Sequence, residues 1–372
     1  MLYNAIMKIL FITDLIPIDD NEICAKALIP IIKELQFDNI VDVVRPNFLL
    51  NSLIRGKMIK PDGKYSFSGV NFLNLNFITP FCFPLKNKVI NLSDYDKIVA
   101  HMPSGILFAE RLIKDYGKQN KNTKLPQLVY AVHQSDIQVM TSWKYSIYFK
   151  NSLINAFKRC DEIACRSVHL KNKFLKILPE CENKTIVKSS KILRKYFVSE
   201  SEMLAKFENV ETLNFVTAAN MIKRKNIDVL IKAFSNFKEK KFRLKIIGDG
   251  KEFKNLQKLV KKLALNDKIV FTGKLSTDDV FKEMRSSQVF VLPSVNETLG
   301  LVYLEASASG CFCIGTKNTG IDGIFLDNIN CFLCNPTIKG VSQVLDKTFN
   351  LTKDDFQNLL LNRKLIESEF IS

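Results

Sequence analysis

The stretch QVFVLPSVNETLGLVYLEASASG, residues 288–310, contains a short apolar run, a turn and a run of small residues in direct succession. The apolar run ends at Ser294 beside a proline, which is typical of a buried strand that leads into a loop. The small-residue run that begins near Leu299 predicts a helix. Glu297 lies in the turn and Glu305 lies inside the helix, where burial alone does not account for a carboxylate.

Similar apolar runs predict further strands on both sides of this stretch. They occupy residues 8–13, 41–44, 97–102, 128–133, 162–167, 214–220, 244–250, 268–273, 288–294 and 311–316. Amphipathic runs such as AKALIPIIKELQ and IDVLIKAFSNFKE stand between them. Because strands and helices alternate, the pattern predicts parallel sheets with helices on both faces. A polar segment, KSSKILRKYFVSESEMLAKFENVET, interrupts the alternation of strands and helices, which then resumes. This interruption indicates two such domains.

A chain of 372 residues is longer than one hydrophobic core usually serves, in agreement with two domains. The predicted boundaries are residues 1–195 for an amino-terminal domain, 196–350 for a second domain, and 351–372 for a carboxyl-terminal helical segment. Ligands of open parallel sheets bind beyond the carboxyl ends of the strands. We therefore expect the functional site in a cleft between the two domains.

Composition and cysteine usage indicate a folded protein of the cytosol. Hydrophobic residues make up 47% and charged residues 25% of the chain. No apolar run reaches the roughly 18 residues that cross a bilayer, and the most apolar amino-terminal stretch carries Asp14 in its middle, so a signal peptide is not expected. The nine cysteines are odd in number, which predicts reduced thiols. Cys331 and Cys334 have metal-ligand spacing but no second pair, so we expect them to pack rather than bind zinc.

The net charge of +16 points to an anionic partner. The excess of basic residues is densest between Lys144 and Lys195. A positive field attracts phosphate in nucleic acid, in anionic lipid or in a phosphorylated substrate. The alternative is a solvated, lysine-rich surface, and the charge alone does not distinguish the two.

The start of the predicted helix has the chemistry of an anion site. Helix N-termini offer unpaired N–H groups and the positive end of a dipole, so the amides of Leu299, Gly300 and Leu301 can hold a phosphate. Glu297 at the mouth of the turn can accept hydrogen bonds from hydroxyls, and Glu305 can take a second hydroxyl pair. The alternative is a helix whose first acid complements the dipole and whose second acid faces water.

Two more elements supply suitable chemistry. A predicted strand ends at Asn220, and Lys225 precedes the following helix, from where it can reach a diphosphate. The turn IIGDGKE, which contains Gly248, follows another strand end and permits close backbone approach. We expect these residues to lie near Glu297.

The run from Phe215 to about Pro336 resembles the nucleotide-binding half of family 4 glycosyltransferases, which are retaining enzymes with the GT-B fold. The matching segments, in the family's order, are KRKNIDVLIKAF, IIGDGKEFKNLQKLVKKL, IVFTGKLSTDDVFKEM and VFVLPSVNETLGLVYLEASASG. Glu297 and Glu305 match the family's pair of glutamates with seven residues between them. The resemblance implies two Rossmann-like, doubly wound parallel-sheet domains that face each other across a cleft.

The resemblance also implies roles for individual residues. Glu297 is the predicted catalytic contact to hydroxyls of the donor sugar, Glu305 the contact to the ribose, and Lys225 the contact to the diphosphate. The predicted donor-binding residues are Lys225, Asn220, Gly248, Ser294, Leu299, Gly300, Leu301 and Glu305.

Three positions depart from the family pattern. Ala219 and Asn220 stand where relatives usually have Gly-Arg, so one expected cation is missing. The neighbouring basic residues of the KRK run are candidates to replace it. Leu299 stands where phenylalanine is commoner, and Cys331 stands where glycine is usual.

The first half resembles the family more loosely. His133 ends the predicted strand in VYAVHQSD, and the resemblance implies a catalytic contact to the donor sugar; the alternative is a histidine satisfied at a strand end. His101 also ends a strand, with a vaguer match, and His169 is typical of a surface helix. The family's glycine-rich loop after the first strand is absent, and IPIDDNE, with Asp19 and Asp20, stands in its place.

The segment TSWKYSIYFKNSLINAFKRC, which begins at Thr141, interleaves aromatic residues with lysines. One interpretation is an interfacial patch on an anionic membrane leaflet. The other is an amphipathic helix that packs Leu153, Ile154 and Phe157 inward. Both interpretations can hold for different faces of one helix.

The resemblance implies transfer of a sugar from a nucleoside-diphosphate sugar to a glycan or glycolipid hydroxyl, with retention and with neither cofactor nor metal. Family and charge together suggest cell-envelope glycan synthesis, such as lipopolysaccharide, in the cytoplasm or at the inner face of its membrane. The alternatives are an inactive or truncated relative that acts as a binding partner, suggested by Asn220 and by an end at Ser372, and a nucleotide-sugar epimerase or sugar phosphorylase. A nucleic-acid partner is not expected, because the chain lacks a recognised nucleic-acid module.

Overall fold

The structure is a computed structural model that describes residues 6–17, 28–48, 61–77, 90–119, 124–143, 147–189 and 191–362. The chain divides into two compact units, the first ending at Lys188 and the second beginning at Ser189, with residues 167–169 counted in the second. Asp19 and Asp20 of the loop after the first strand, and the end of the carboxyl-terminal segment, residues 363–372, lie outside the described residues.

Among the described residues, the first unit contains an eight-stranded sheet. Its strands are β1 (Lys8–Ile12), β2 (Ile40–Phe48), β3 (Gly63–Phe67), β4 (Val70–Phe77), β5 (Lys97–His101), β6 (Gln127–Val132), β7 (Glu162–Cys165) and β8 (Thr185–Val187). The spatial order is β3-β4-β2-β1-β5-β6-β7-β8, and only the β3–β4 pair is antiparallel. The order reverses between β1 and β5, so the chain leaves a crevice at their carboxyl ends.

The helices of the first half are α1 (Ile29–Asp38), α2 (Met102–Gln119), α3 (Gln134–Thr141), α4 (Ile147–Arg159) and α5 (Val168–Leu175). Helix α1 begins with Pro30 in its first turn. Proline is accepted there because the first N–H groups of a helix have no intrahelical partner. The predicted packing of α4 is observed, since Leu153 and Phe157 are fully buried.

The second unit contains a six-stranded, wholly parallel sheet. Its strands are β9 (Leu213–Ala218), β10 (Phe242–Ile247), β11 (Ile269–Gly273), β12 (Val289–Val291), β13 (Phe312–Thr316) and β14 (Cys331–Cys334). The spatial order β11-β10-β9-β12-β13-β14 corresponds to the order 3-2-1-4-5-6 of dinucleotide-binding sheets. The order reverses between β9 and β12, and the loops after these two strands frame a crevice.

The helices of the second unit are α6 (Glu200–Ala205), α7 (Ile227–Phe234), α8 (Phe253–Lys262), α9 (Thr277–Arg285), α10 (Leu301–Ala308), α11 (Ile338–Phe349) and α12 (Lys353–Leu361). Strand β12 is buried at every position, as expected for a central parallel strand covered on both faces. Phe215, Phe234 and Phe290 are also fully buried. Each large apolar side chain buried in this way contributes about 1.5–3 kcal/mol to folding.

The predicted α/β class with two parallel-sheet units is confirmed, and a strand is found in each of the ten predicted runs. Strands β3, β4, β8 and β14 were not predicted. None of the helices in the described ranges combines the length and the hydropathy that a bilayer crossing requires.

Candidate functional site

The loops after β9 and β12 meet at the point where the order of the second sheet reverses. After β9 the chain forms a single 3₁₀ turn over Lys223–Lys225. The backbone N–H of Val295, in the loop after β12, donates a hydrogen bond to the carbonyl of Arg224 at 2.8 Å. This bond places the basic turn beside the loop that carries Glu297.

Lys225 and Glu297 form an ion pair at this junction. The Nζ atom of Lys225 lies 2.5 Å from Oε2 of Glu297, and the two side chains are only 12% and 11% exposed. Arg224 places Nη1 at 3.7 Å from the same oxygen, and the hydroxyl of Ser294 donates to it at 3.3 Å. Arg224 therefore points toward the carboxylate of Glu297. Of the two basic residues that precede Lys225, Arg224 is thus the candidate to replace the missing cation.

The electrostatics of the pair favour a charged Glu297. Burial raises the pKa of its carboxyl group, but the Lys225 ammonium, the Arg224 guanidinium and the Ser294 hydroxyl outweigh burial and leave the pKa below its usual value. An ionised carboxylate is an acceptor only, so Glu297 can bind hydroxyl groups of a ligand. Lys225 keeps further N–H donors beyond the one that faces Glu297.

The residue that immediately precedes helix α10, Gly300, must be glycine. Gly300 has a φ of 73°, and a Cβ atom there would lie 2.7 Å from Tyr303 and 2.8 Å from Ile321. The side chain of Leu299 is buried, so only its backbone is available to a ligand. Among the described residues, the N–H groups of Leu299, Gly300 and Leu301 donate to no backbone acceptor. These groups can hold an anion such as a phosphate.

The loop after β13 supports this turn closely. The N–H of Gly320 donates to the carbonyl of Glu297 at 2.7 Å. A Cβ atom on Gly320 would lie 2.0 Å from the carbonyl oxygen of Thr298, so only glycine allows this approach. The backbone on both sides of Glu297 is thus held in place by hydrogen bonding and packing.

Glu305 lies in helix α10, which follows the turn that carries Glu297. Within the described ranges its carboxylate has no hydrogen-bond or ion-pair partner, and burial raises its pKa to about 7. A half-buried carboxylate without a partner is costly unless a ligand supplies hydrogen bonds. The predicted contact of Glu305 to ribose hydroxyls stays a prediction.

Asn220 and Gly248 lie in two loops that pack against each other. A Cβ atom on Gly248, whose φ is 125°, would lie 2.0 Å from the carbonyl oxygen of Ala219. The N–H of Met221 donates to the carbonyl of Asp249 at 2.8 Å. Asn220 is exposed and its Oδ1 faces Gly250. The close contact between the two loops is therefore sufficient to explain why glycine is required at these positions, without a bound ligand.

His133 belongs to the first unit and lies at the start of α3. Its backbone N–H donates to Oδ2 of Asp136 at 2.6 Å, which caps the helix. Its Nε2 lies 3.0 Å from Nδ1 of His101, at the end of the adjacent strand β5. Burial, reinforced by the Arg166 guanidinium, lowers the pKa of His133 to about 3, so the ring is neutral. The sequence pattern had placed both histidines at strand ends without indicating this contact.

Across the described residues, no cluster of three or more histidine, cysteine, aspartate or glutamate side chains has the geometry of a metal site. Cys331 and Cys334 are buried free thiols in β14. The expected packing role of this pair agrees with that position.

Part of the second unit is similar to a known protein family. Residues 200–357 match the model of the family Glycosyl transferases group 1. N-acetyl-alpha-D-glucosaminyl L-malate synthase of Bacillus anthracis is 30% identical over 182 residues, which are 49% of this chain and 44% of that protein. An uncharacterized glycosyltransferase of Methanocaldococcus jannaschii is 27% identical over 271 residues, 72% of this chain and 67% of that protein.

The fold has close counterparts among solved structures. The Anabaena protein HepE in complex with UDP and glucose superposes with a TM-score of 0.70 at 17% identity, over 97% of this chain and 95% of that one. At this identity the likeness establishes the fold, and the alignment with the Bacillus synthase spans less than half of that relative. The chain thus has the GT-B fold, and its residues 200–357 match the glycosyl transferases group 1 family.

Proposed function

We propose that this protein is a retaining glycosyltransferase that moves a sugar from a nucleoside-diphosphate sugar to a hydroxyl acceptor. The observation that carries the proposal is the Lys225–Glu297 pair beside the start of α10, at the point where the order of the second sheet reverses. Doubly wound sheets bind nucleotides at this point. A cation, a carboxylate and free helix amides match the diphosphate and the sugar of such a donor.

Each group has a distinct task in the proposed reaction. As the bond between the sugar and the diphosphate breaks, negative charge grows on the leaving phosphate. Lys225 and the amides of Leu299, Gly300 and Leu301 are fixed donors for that charge, and preorganised donors of this kind are usually the largest contribution to catalysis. Glu297 accepts hydrogen bonds from sugar hydroxyls and orients the sugar.

Glu305 completes the donor site by accepting hydrogen bonds from the ribose hydroxyls. Its carboxylate has no hydrogen-bond or ion-pair partner among the described residues, which supports this role. His133, being neutral and at a strand end of the first unit, supplies a polar contact to the sugar. The complex of HepE with UDP and glucose makes a uridine nucleotide the first donor to test.

The proposed acceptor is an envelope glycan or glycolipid presented at an anionic membrane. The support is the net charge of +16 and two exposed apolar side chains at the start of the basic segment. Trp143 is 89% exposed and Ile147 is 77% exposed, next to lysine-rich α4. An aromatic residue among lysines is suited to the boundary between lipid headgroups and acyl chains. We further propose that the protein works on the cytoplasmic side of that membrane, without nucleic acid as a partner.

The experiment is a turnover assay with UDP-, GDP- and ADP-sugars, with and without glycolipid acceptors. We expect release of nucleoside diphosphate that depends on acceptor, and a product whose anomeric configuration, read by NMR, equals that of the donor. Glu297→Gln should lower turnover about 100-fold or more, whereas Glu239→Gln, on an exposed surface of the same unit, should not change it.

Other outcomes would contradict the proposal. Conversion of donor without acceptor would indicate an epimerase, and release of sugar phosphate would indicate a phosphorylase. Full turnover by folded Glu297→Gln protein would remove that residue from the mechanism. Failure to turn over any donor would favour a binding protein built on the same fold.

A further inference from the structure

The strongest unassigned feature of the first unit is the contact between the ring of buried His101 and the ring of partly buried His133. Nδ1 of His101 lies 3.0 Å from Nε2 of His133, the ring centroids are 5.3 Å apart, and His101 is only 5% exposed. The two residues are 32 positions apart and lie at the carboxyl ends of the neighbouring strands β5 and β6. Of the two, only His133 has a role in the function proposed above.

Both rings are neutral. Burial lowers the pKa of His133 to about 3 and that of His101 well below its ordinary value. The positive charge of Arg166 lowers the pKa of both rings further, and that of Lys188 does so at His101. The carboxyl group of Asp136 is close to the pair, but burial raises its pKa to about 8, so it brings little negative charge at neutral pH.

Two neutral imidazoles in this geometry share one hydrogen. A neutral ring carries a single N–H, and a hydrogen bond between facing nitrogens needs one donor and one acceptor. If Nε2 of His133 is the donor, its Nδ1 is a bare acceptor. If Nδ1 of His101 is the donor, Nδ1 of His133 must carry the hydrogen. The state of His101 thus determines what the other nitrogen of His133 offers to a ligand.

His101 is itself held firmly. Its ring stacks on Phe11 of β1 with centroids 4.8 Å apart and planes at 27°. The next residue, Met102, has a φ of 70° and opens helix α2, so the chain turns sharply immediately after the histidine. A ring fixed by stacking and by a strand end is a suitable support for its neighbour, because its own rotation is blocked.

We propose that His101 is a positioning residue: its Nδ1 holds the His133 ring in one orientation and one tautomer, and thereby sets whether Nδ1 of His133 is a donor or an acceptor. The effect of His101 on catalysis rests on the proposed function. The orientation and tautomer of the His133 ring do not depend on it. Because Nε2 of His133 is already engaged, a second hydrogen bond from that nitrogen to substrate is excluded.

Two substitutions separate hydrogen bonding from packing. His101→Asn places an amide near the position of Nδ1 but removes the stacked ring, and His101→Phe keeps a ring against Phe11 but removes the nitrogen. We expect His101→Phe to lower kcat about 10- to 100-fold with little change in the KM of the nucleotide-sugar, as for a displaced catalytic group. We expect His101→Asn to stay within about threefold of the native kcat. Equal loss in both variants, or a larger loss in His101→Asn, would overturn the proposal.

A second readout needs neither donor nor acceptor. The chain has three histidines, His101, His133 and His169, so ¹⁵N-histidine NMR gives three ring systems that single substitutions can assign. We expect native His133 to show one neutral tautomer down to about pH 5 and His101→Phe to show tautomer-averaged nitrogen shifts at His133. Unchanged His133 shifts in folded His101→Phe protein would overturn the positioning role.

The two readouts distinguish this proposal from the proposed function. If native protein transfers no sugar but His101→Phe releases the His133 tautomer, the positioning role stands and the proposed function fails. If native protein is active and the tautomer is not affected by His101, the positioning role fails and the proposed function stands. Should His101→Phe not fold, the shifts of His133 in His101→Asn decide, since loss of the single tautomer there contradicts the proposal.

Discussion

Lys225 and Glu297 lie 72 residues apart in the chain, yet Nζ of one and Oε2 of the other are 2.5 Å apart and both side chains are largely buried. Family resemblance assigns them separate tasks, one on the diphosphate and one on the sugar. In the structure the charges of the two side chains neutralise each other. A donor that binds here meets two charges already oriented by their mutual attraction and by the surrounding backbone.

The pair should be energetically coupled. Removing one partner leaves a buried charge without compensation, so Lys225→Met and Glu297→Gln should each lower the free energy of unfolding by about 2–4 kcal/mol. The double variant should lose less than the sum of the two. Urea unfolding measures all three, with Lys223→Met, at an exposed position of the same turn, as the control. Additive losses would show that the pair does not interact in solution.

Glu305 should make stability depend on pH. Its folded pKa of about 7 exceeds the unfolded value, so the folded state binds the proton more tightly and stability falls as pH rises from about 4.5 to about 7. The free energy of unfolding of Glu305→Gln should therefore exceed that of the native chain by about 2 kcal/mol at pH 8 and equal it at pH 4. The gain at pH 8 is smaller than the full pKa shift implies because Glu305 remains partly exposed to solvent. Thermal unfolding at the two pH values measures this.

The same variant should bind nucleotide less well. Replacing an acceptor-only carboxylate by an amide removes charge-assisted hydrogen bonds to ribose hydroxyls, which weakens binding about 10-fold. A Glu305→Gln protein that is stabilised at pH 8 but binds nucleotide normally would place the ribose elsewhere.

Gly300 should tolerate no side chain. Gly300→Ala forces a Cβ atom into Tyr303 and Ile321 at a φ of 73°, so we expect a loss of about 1–3 kcal/mol and weaker diphosphate binding. Gly117→Ala, inside α2 with no atom within 4 Å of the new Cβ, should instead gain up to about 1 kcal/mol. The contrast between the two variants in thermal unfolding tests whether the backbone conformation at the start of α10 is the one described.

Metal chelation should not affect transfer. Since the proposed site stabilises the leaving diphosphate with Lys225 and helix amides, EDTA should leave the initial rate unchanged within about twofold. A rate abolished by EDTA and restored by Mg²⁺ or Mn²⁺ would show that a metal replaces these groups.

The sequence pattern predicted the elements that carry strong periodicity. Ten apolar runs became strands, and the carboxylates, glycine and lysine of the second unit lie where strand ends and a helix start were expected. Strands β3 and β4 were missed because their sequences, GKYSF and VNFLNLNF, interleave polar residues and contain no continuous apolar run. The signal that could have found them is the turn between them, where Ser68 and Gly69 both have positive φ.

Contacts between elements were harder to predict than the elements. His101 and His133 both lie at predicted strand ends, but only the strand order, with β5 beside β6, brings their rings together. Gly248 and Gly250 were read as room for a ligand, whereas their Cα atoms face the backbone of the loop after β9. In each case the decisive fact is a spatial neighbour far away in the chain.

The central claim is that the second unit holds a nucleoside diphosphate through Lys225. The measurement that tests it most directly is calorimetric titration of the purified protein with UDP, GDP, ADP and CMP, without metal, beside Lys225→Ala and Lys223→Ala. We predict that one diphosphate binds selectively, that Lys225→Ala weakens it at least about 10-fold, and that Lys223→Ala does not. Absence of binding by any nucleotide, or equal binding by native protein and Lys225→Ala, would contradict the account.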